Sequence, residues 1–315
     1  MKKQLLIAAV AATMTSAAMA DISIAGDAKF EFFNTEVGTL EAVNSTNTEV
    51  NIKIVAKNGD TTVVLNNEFN SSSAAGAGMD TEDMYITTKI GDVTVKAGNY
   101  ASGTSALLGE IDNGGRAQDK VALSTSFGGV KVSYAVAESG TKLNSDAASV
   151  TISTEVAGFN VSLKDDSDSY TGYGISGDVA GFGVRLEQKA SDTANSDVTF
   201  GNITKDVNGV TLGYAWLDAD SAGQITENDG IFVAAANGAT TTGAKQITLA
   251  TSVAGNTVNF RTGSIEQGTT DLDFSKVTVT RALASGSTLE VSMKDVETSA
   301  TASTETFEAQ LSVKF

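Results

Sequence analysis

The side chains most often used for nucleophilic, metal-dependent and redox chemistry are absent from this sequence. Its 315 residues include no histidine and no cysteine, which excludes Ser-His and Cys-His nucleophiles and the usual zinc and redox-iron ligand sets. Carboxylates and lysines could still act as acids, bases or nucleophiles, but no spacing of them indicates a catalytic site. The sequence therefore predicts a protein that is not an enzyme and needs no cofactor.

A glycine-rich segment, Gly172-x-Gly174-x-x-Gly177, formally matches a dinucleotide-binding fingerprint. That fingerprint requires a tight turn from a strand into a helix. Here the glycines lie within an alternating, strand-like stretch that no helix signal follows. We interpret them as small residues at a strand crossing or a turn.

An acidic segment near residue 220 has part of the spacing of a calcium-binding loop. Asp218, Asp220 and Asp229 occupy the first, third and twelfth positions of such a loop, and Gly223 occupies the sixth. Ala222 stands where the fifth position needs a ligand, and aspartate replaces the usual final glutamate. An exposed acidic loop is our main interpretation, and weak divalent-cation binding by Asp218, Asp220 and Asp229 is the alternative.

The remaining candidates are charged residues that recur at alternate positions of strand-like segments and so would share one face. Opposed acids and bases across a water-filled passage create a transverse field that slows apolar solutes and lets small ions and polar solutes pass. The candidates for such a pore constriction are Lys29, Lys53, Lys89, Lys96 and Lys131 on strands, with Glu110, Asp112 and Arg116 in a polar loop spanning 101–118. The alternative is that these charges only solvate a wall.

The last ten residues show most clearly what would position these charges. Phe307, Leu311, Val313 and Phe315 share one face, and polar residues alternate with them, because successive strand residues point to opposite faces. A chain that ends in the apolar face of a strand is unusual for a soluble domain, whose ends are commonly frayed and polar.

Hairpin signals divide the rest of the chain into similar two-faced strands. Pairs such as Asn-Gly favour the positive φ angles of two-residue hairpin turns. Eight such tight turns are predicted, at 58–59, 91–92, 128–129, 157–158, 180–181, 208–209, 254–256 and 285–286. They alternate with longer polar connections, predicted at 34–48, 70–83, 101–118, 139–147, 165–169, 191–196, 218–243, 267–272 and 297–303. Counting hairpins gives 18 strands, or 16 if one turn is false.

The first twenty residues predict a secretory signal, because two lysines precede an apolar run and small residues end at Ala20. The domains are then a signal peptide over 1–20 and one barrel over 21–315. Beyond Ala20 there is no run of about eighteen apolar residues that could span a bilayer as a helix. A membrane-embedded form of this chain would therefore be a closed β-barrel.

The formal net charge of −17 argues against nucleic acid as a partner, because phosphate backbones are repelled. It favours cations. Acids of the longer connections, including Asp80, Asp83, Asp218 and Asp271, predict a negative vestibule and a cation preference.

Two segments resemble the general diffusion porins of Gram-negative outer membranes. Residues 85–99 resemble the strand-turn-strand before the inward-folded third loop of that family, and residues 119–134 resemble the hairpin that follows the loop. Phe315 resembles the final residue of the closing strand that the family's barrel-insertion machinery recognises. The family commonly has arginine where this sequence has Asn99, which makes the charge of the pore wall a point of difference.

The resemblance implies an all-β, transmembrane, antiparallel up-and-down β-barrel with short periplasmic turns and longer external loops. Such a barrel reaches outer-membrane lipid after export through the periplasm and passes small hydrophilic solutes and cations by passive diffusion. The resemblance also implies that the loop 101–118 folds into the lumen, that Phe307, Leu311, Val313 and Phe315 form the insertion signal, and that the protein is a homotrimer in which 70–83 reaches a neighbour.

Two other functions stay open. A substrate-selective channel should have an aromatic track inside, whereas the polar faces here are predicted to carry few aromatic residues, namely Phe33, Tyr85 and Tyr100. A secreted β-sandwich or adhesin would need no detergent and would not show heat-modifiable migration on a gel.

If the loop 101–118 is the filter, the double change Glu110→Gln with Asp112→Asn should lower cation preference, because two carboxylates leave the constriction. The measurement is the reversal potential of a planar bilayer in a salt gradient. Unchanged selectivity would mean that this loop does not filter ions.

Overall fold

A computed structural model describes residues 21–72, 76–100, 118–139, 142–167, 169–221, 241–267, 270–299 and 302–315. Within these ranges the chain forms one sheet of 18 strands. The strands are β1 (Asp21–Val37), β2 (Val43–Asn58), β3 (Thr61–Ser72), β4 (Gly76–Ile90), β5 (Val93–Tyr100), β6 (Gln118–Phe127), β7 (Val130–Ser139), β8 (Lys142–Val156), β9 (Phe159–Asp166), β10 (Tyr170–Val179), β11 (Phe182–Ser191), β12 (Val198–Val207), β13 (Val210–Ala219), β14 (Thr241–Val253), β15 (Asn256–Gln267), β16 (Thr270–Ala282), β17 (Ser287–Ser299) and β18 (Ala302–Lys314). No helix in the described ranges is long and apolar enough to cross a membrane.

The sheet closes on itself, because β1 pairs with both β2 and β18. Every other strand pairs with its two neighbours along the chain, always antiparallel. The fold is therefore an up-and-down β-barrel, which confirms the predicted architecture and the larger of the two strand counts. An even number of strands brings Asp21 and Phe315 to the end of the barrel that carries the tight turns.

All eight predicted tight turns are present, each between an even-numbered strand and the next strand. Asn208 and Gly209 have φ angles of 55° and 82°, the positive values that a two-residue hairpin turn of this hand requires. Alanine takes the first such position in three other turns, at Ala157, Ala180 and Ala254. Backbone hydrogen bonding on both sides of these turns holds a conformation that alanine alone disfavours.

Several predicted long connections are shorter than expected, because the strands continue into them. β1 and β2 extend into 34–48, β3 and β4 into 70–83, β7 and β8 into 139–147, and β17 and β18 into 297–303. The predicted bounds relied on apolar alternation, which is needed only where one face meets lipid. Beyond that layer the antiparallel ladder continues without a regular apolar alternation.

The two faces separate as the alternation predicts. Val132, Leu163 and Leu212 lie on the outer face, with 38%, 37% and 43% of their surface exposed. The charged and hydroxyl residues that alternate with them line the interior. An 18-stranded barrel is wide enough to hold an aqueous lumen, so the apolar face is available to lipid and the polar face to water.

The seam between β1 and β18 is closed by the last residue of the chain. The Gly26 amide donates to the Phe315 carbonyl at 2.8 Å, and the Phe315 amide donates back at 2.9 Å. The Phe315 ring covers Gly26 so closely that a Cβ there would lie 2.8 Å from the ring Cζ and 2.3 Å from the Asn51 carbonyl oxygen. Whether Phe307, Leu311, Val313 and Phe315 also form an insertion signal stays a prediction.

Gly26→Ala should weaken the seam, because the new methyl group meets a backbone carbonyl and the terminal ring at once. We expect a loss of about 1–3 kcal/mol, as for overpacked sites, measured by urea unfolding in lipid vesicles. The matched control is Gly213→Ala, whose methyl group would have its closest contact with the Thr248 Cβ at 3.3 Å. Equal stability of the two variants would contradict the assigned packing.

Candidate functional site: the interior wall

The strand register places all five predicted strand lysines on the interior face of the barrel. Their interior neighbours on adjacent strands include Glu49 for Lys29, Asn66 for Lys53, Thr94 for Lys89, Ala122 for Lys96 and Ser153 for Lys131. Glu110, Asp112 and Arg116 lie outside the described residues. The five lysines do not form one group, and their role as a constriction stays a prediction.

Lys29 belongs to a neutralised network on β1 and β2. Its ammonium lies 2.9 Å from a Glu49 oxygen and 3.6 Å from a Glu31 oxygen, and Asn47 Nδ2 donates to Glu31 at 2.8 Å. One lysine shared by two carboxylates leaves this part of the wall with no excess of positive charge.

Lys96 is held differently, between two aromatic rings. Its ammonium lies 3.8 Å from the ring centroids of both Tyr85 and Tyr100, which pack edge to face with centroids 5.6 Å apart. The Lys120 ammonium lies 4.8 Å from the Tyr100 centroid. We call Tyr85, Lys96, Tyr100 and Lys120 the Lys-Tyr cluster. Ring quadrupoles attract these cations without cancelling their charge. Asp83 is an acid that acts electrostatically on both Lys96 and Lys120.

The hydroxyl of Tyr100 is the most informative atom of the Lys-Tyr cluster. Only 5% of the residue is exposed, and its buried hydroxyl group has no hydrogen-bond partner among the described residues. Buried hydroxyls are nearly always paired, so the acceptor of this one belongs either to residues outside the described ranges or to a solute that reaches the cluster.

A second group of cations surrounds Tyr170 on β9 to β11. The Lys164 and Lys189 ammonium groups lie 4.9 and 4.6 Å from the Tyr170 ring centroid. Lys164 also donates to the Tyr170 hydroxyl and pairs with Asp166 at 3.2 Å. The charge of Lys164 acts on Lys120 of the Lys-Tyr cluster, so basic side chains follow one another around this part of the wall.

Farther around the barrel the interior changes from charged to apolar. Arg185 Nε donates to Glu187 Oε1 at 2.6 Å, and the guanidinium lies 5.6 Å from the Phe200 ring centroid. Phe200 belongs to a buried cluster that we call the interior apolar patch: Val198, Phe200, Ala215, Leu217, Ala219, Ala244, Ile265, Leu272 and Phe274, with Val296 packed against it. These residues lie near the strand ends that carry the longer connections.

Sequence reasoning missed most of these interior groups. The expectation that Phe33, Tyr85 and Tyr100 are the few interior aromatics is wrong, because Tyr170, Phe200 and Phe274 also face inward. The odd or even positions of these three aromatic residues along their strands could have shown that they face inward. They were overlooked because both faces of these segments carry apolar residues, as at 214–217, and the alternation is then hidden. Lys120 and Lys189 were missed because each lies near a predicted loop.

Among the described residues, the acids predicted to form a negative vestibule do not all face the lumen. Asp80 and Asp83 both face inward, because a register shift on β4 lies between them. Asp218 and Asp271 lie on the outer face, since each alternates with an inward-facing leucine, Leu217 or Leu272. On the described strands, acidic and basic residues are mixed on the interior wall.

Neither alternative motif forms a recognisable site in the described residues. Gly172, Gly174 and Gly177 lie within β10, and a Cβ on Gly177 would approach the Phe159 ring to 2.6 Å, which supports the small-residue interpretation. No group of three acidic residues that could hold a metal ion occurs in the described ranges. Asp229 and Gly223 of the calcium-loop spacing lie outside those ranges.

These features define the class of fold, a closed 18-stranded antiparallel barrel of the kind found in outer-membrane channels. Among solved structures, Pseudomonas aeruginosa OpdK with vanillate is similar, with a TM-score of 0.64 and 10% identity over 93% of this chain and 98% of that one. P. aeruginosa OpdQ gives a TM-score of 0.66 at 9% identity, and Acinetobacter baumannii OccAB4 gives 0.65 at 9%; each comparison covers 94% of this chain and 98% of the other. No protein-family model and no curated protein sequence matches the chain.

Lys96→Met should destabilise the barrel by about 1–2 kcal/mol, because it keeps a flexible side chain between the two rings but removes both cation–π contacts. Urea unfolding in lipid vesicles gives the measurement. Lys53→Met is the control, since Lys53 is an exposed interior lysine with no aromatic ring contact among the described residues. If the two variants lose equal stability, Tyr85 and Tyr100 do not hold the Lys96 charge.

Proposed function

We propose that this protein is a substrate-selective channel of a Gram-negative outer membrane and that it passes small organic anions. The observation that carries the proposal is the Lys-Tyr cluster, in which two ammonium groups lie against the ring of Tyr100 and the Tyr100 hydroxyl has no partner among the described residues. Export through the periplasm, insertion by the barrel-insertion machinery and assembly into a homotrimer belong to the same proposal.

The chemistry of the cluster favours a carboxylate attached to a flat group. A carboxylate accepts hydrogen bonds from a tyrosine hydroxyl and from ammonium groups, and charge-assisted bonds of this kind are stronger than neutral ones. The exposed parts of Tyr85 and Lys96 would contact the body of the solute. A solute without charge would gain only the ring contacts.

The structural comparisons support this choice over general diffusion. The similar OpdK structure contains vanillate, a small aromatic carboxylate. At 10% identity the likeness extends to the fold, and the transfer of a substrate class to this chain is part of the proposal.

General diffusion with cation preference is the competing function, and it follows from the net charge of −17. The described structure lends it less support, because acids such as Asp218 and Asp271 lie outside the barrel wall. The two functions predict opposite effects of a negative charge on the permeation of a small organic solute. The charge speeds permeation through an anion-selective channel and slows it through a cation-preferring pore.

The test is a planar-bilayer recording with potassium chloride on one side and potassium benzoate on the other. In a general diffusion pore the bulkier benzoate should permeate more slowly than chloride. We expect benzoate permeability to equal or exceed that of chloride, and the double change Lys96→Gln with Lys120→Gln to remove this advantage. Lys57→Gln, which removes an interior lysine beside a tight turn, should not.

Benzoate permeability well below that of chloride, or a cation-selective reversal potential in a gradient of potassium chloride, would favour general diffusion. Absence of channels at high protein concentration would remove the channel function altogether.

A further inference from the structure

A row of three basic residues crosses the interior wall on β15, β16 and β17. Arg261 is directly opposite Lys276, and Lys276 is directly opposite Lys294. All three have interior parity. We call them the cation row. Like charges directly opposite each other on neighbouring strands are destabilising, so the wall maintains this arrangement at a cost.

The acids near the cation row do not neutralise it fully. Glu308 Oε2 lies 3.7 Å from the Lys276 ammonium and also accepts from the Ser292 hydroxyl at 3.3 Å. Glu290 acts electrostatically on Arg261 and accepts from the Thr280 hydroxyl at 3.1 Å. Both carboxylates are thus held by hydroxyl groups of the wall.

Lys294 completes the cation row without a counterion. In the described part of the chain no ion pair or hydrogen bond involves its ammonium. Its neighbours on the same face of β17 are Ser292 and Val296, and neither is charged. Lys276 has 25% of its side chain exposed. Lys276 and Lys294 are therefore open to solutes on the lumen side.

We propose that Arg261, Lys276 and Lys294 form a subsite for a doubly charged phosphoryl group carried by a small hydrophilic solute. Adjacent strands are about 4.8 Å apart, so the three side chains span about 10 Å and can converge on one tetrahedral group. Arginine offers a planar fork that matches phosphate oxygens, and the two lysines add compact charges.

A single carboxylate uses this arrangement less well. It has two oxygens and one charge, so it engages two of the three cations and leaves one repulsion across the strands unrelieved. A phosphomonoester has three terminal oxygens, and its second pKa is about 6, so at about pH 8 it carries two charges. The subsite goes beyond the proposed function but depends on it, because the solute must enter the lumen.

The test compares two solutes of similar size, glycerol phosphate and glycerate, as blockers of potassium chloride current in planar bilayers at about pH 8. We expect glycerol phosphate to halve the current at a concentration on the order of tenfold lower than glycerate. Lys294→Gln should raise that concentration on the order of tenfold, since one charge-assisted contact is lost. Lys294→Arg should keep the wild-type value.

Lys57→Gln is the matched control, because it removes an interior lysine away from the cation row and should leave the block unchanged. Heat-modifiable gel migration checks that each variant folds. The wild-type comparison of the two solutes tests the subsite even where a variant does not fold.

Equal block by the two solutes in wild-type protein would overturn the subsite, as would equal effects of Lys294→Gln and Lys57→Gln. In both outcomes potassium chloride current persists and the proposed channel stands. Folded wild-type protein that carries no current would overturn the channel and the subsite together.

Discussion

The structure depends on one constraint, the need to pair every backbone N–H and C=O group that a membrane removes from water. An unpaired group costs several kcal/mol in hydrocarbon, so a sheet can span the bilayer only if it has no free edge. Pairing of β1 with β18 removes that edge. The seam at Gly26 and Phe315 is therefore as important as any interior contact, although it lies at the end of the chain.

Closure also decides what each side chain does. Once the sheet closes, every strand has one face toward lipid and one toward the lumen, and a residue's parity assigns it to one of them. Lys96 and Lys120 become lumen residues for this reason alone, on strands separated in sequence by residues 101–117. A soluble sandwich with the same alternation would bury the apolar faces and expose the lysines to bulk solvent.

The interior wall varies around its circumference. The Lys-Tyr cluster holds ammonium groups with aromatic rings, the network at Lys29 neutralises its lysine with carboxylates, and the interior apolar patch carries no charge. The cation row lies directly beside that patch, since Phe274 and Lys276 are successive inward residues of β16. A solute passing through such a lumen meets different chemistry on opposite sides, which is what selectivity by the wall requires.

The sequence by itself determined the eight tight turns and the assignment of apolar and polar residues to two faces, and it limited the strand count to 18 or 16. These follow from local rules, namely the period of two and the positive φ angles of turns such as Asn208-Gly209. It could not determine how far strands extend into polar segments such as 70–83, because pairing there leaves no apolar alternation. Only the tertiary structure brought Lys96 between Tyr85 and Tyr100 and aligned Arg261, Lys276 and Lys294, since these contacts depend on the register between strands, and register is set by closure of the whole barrel.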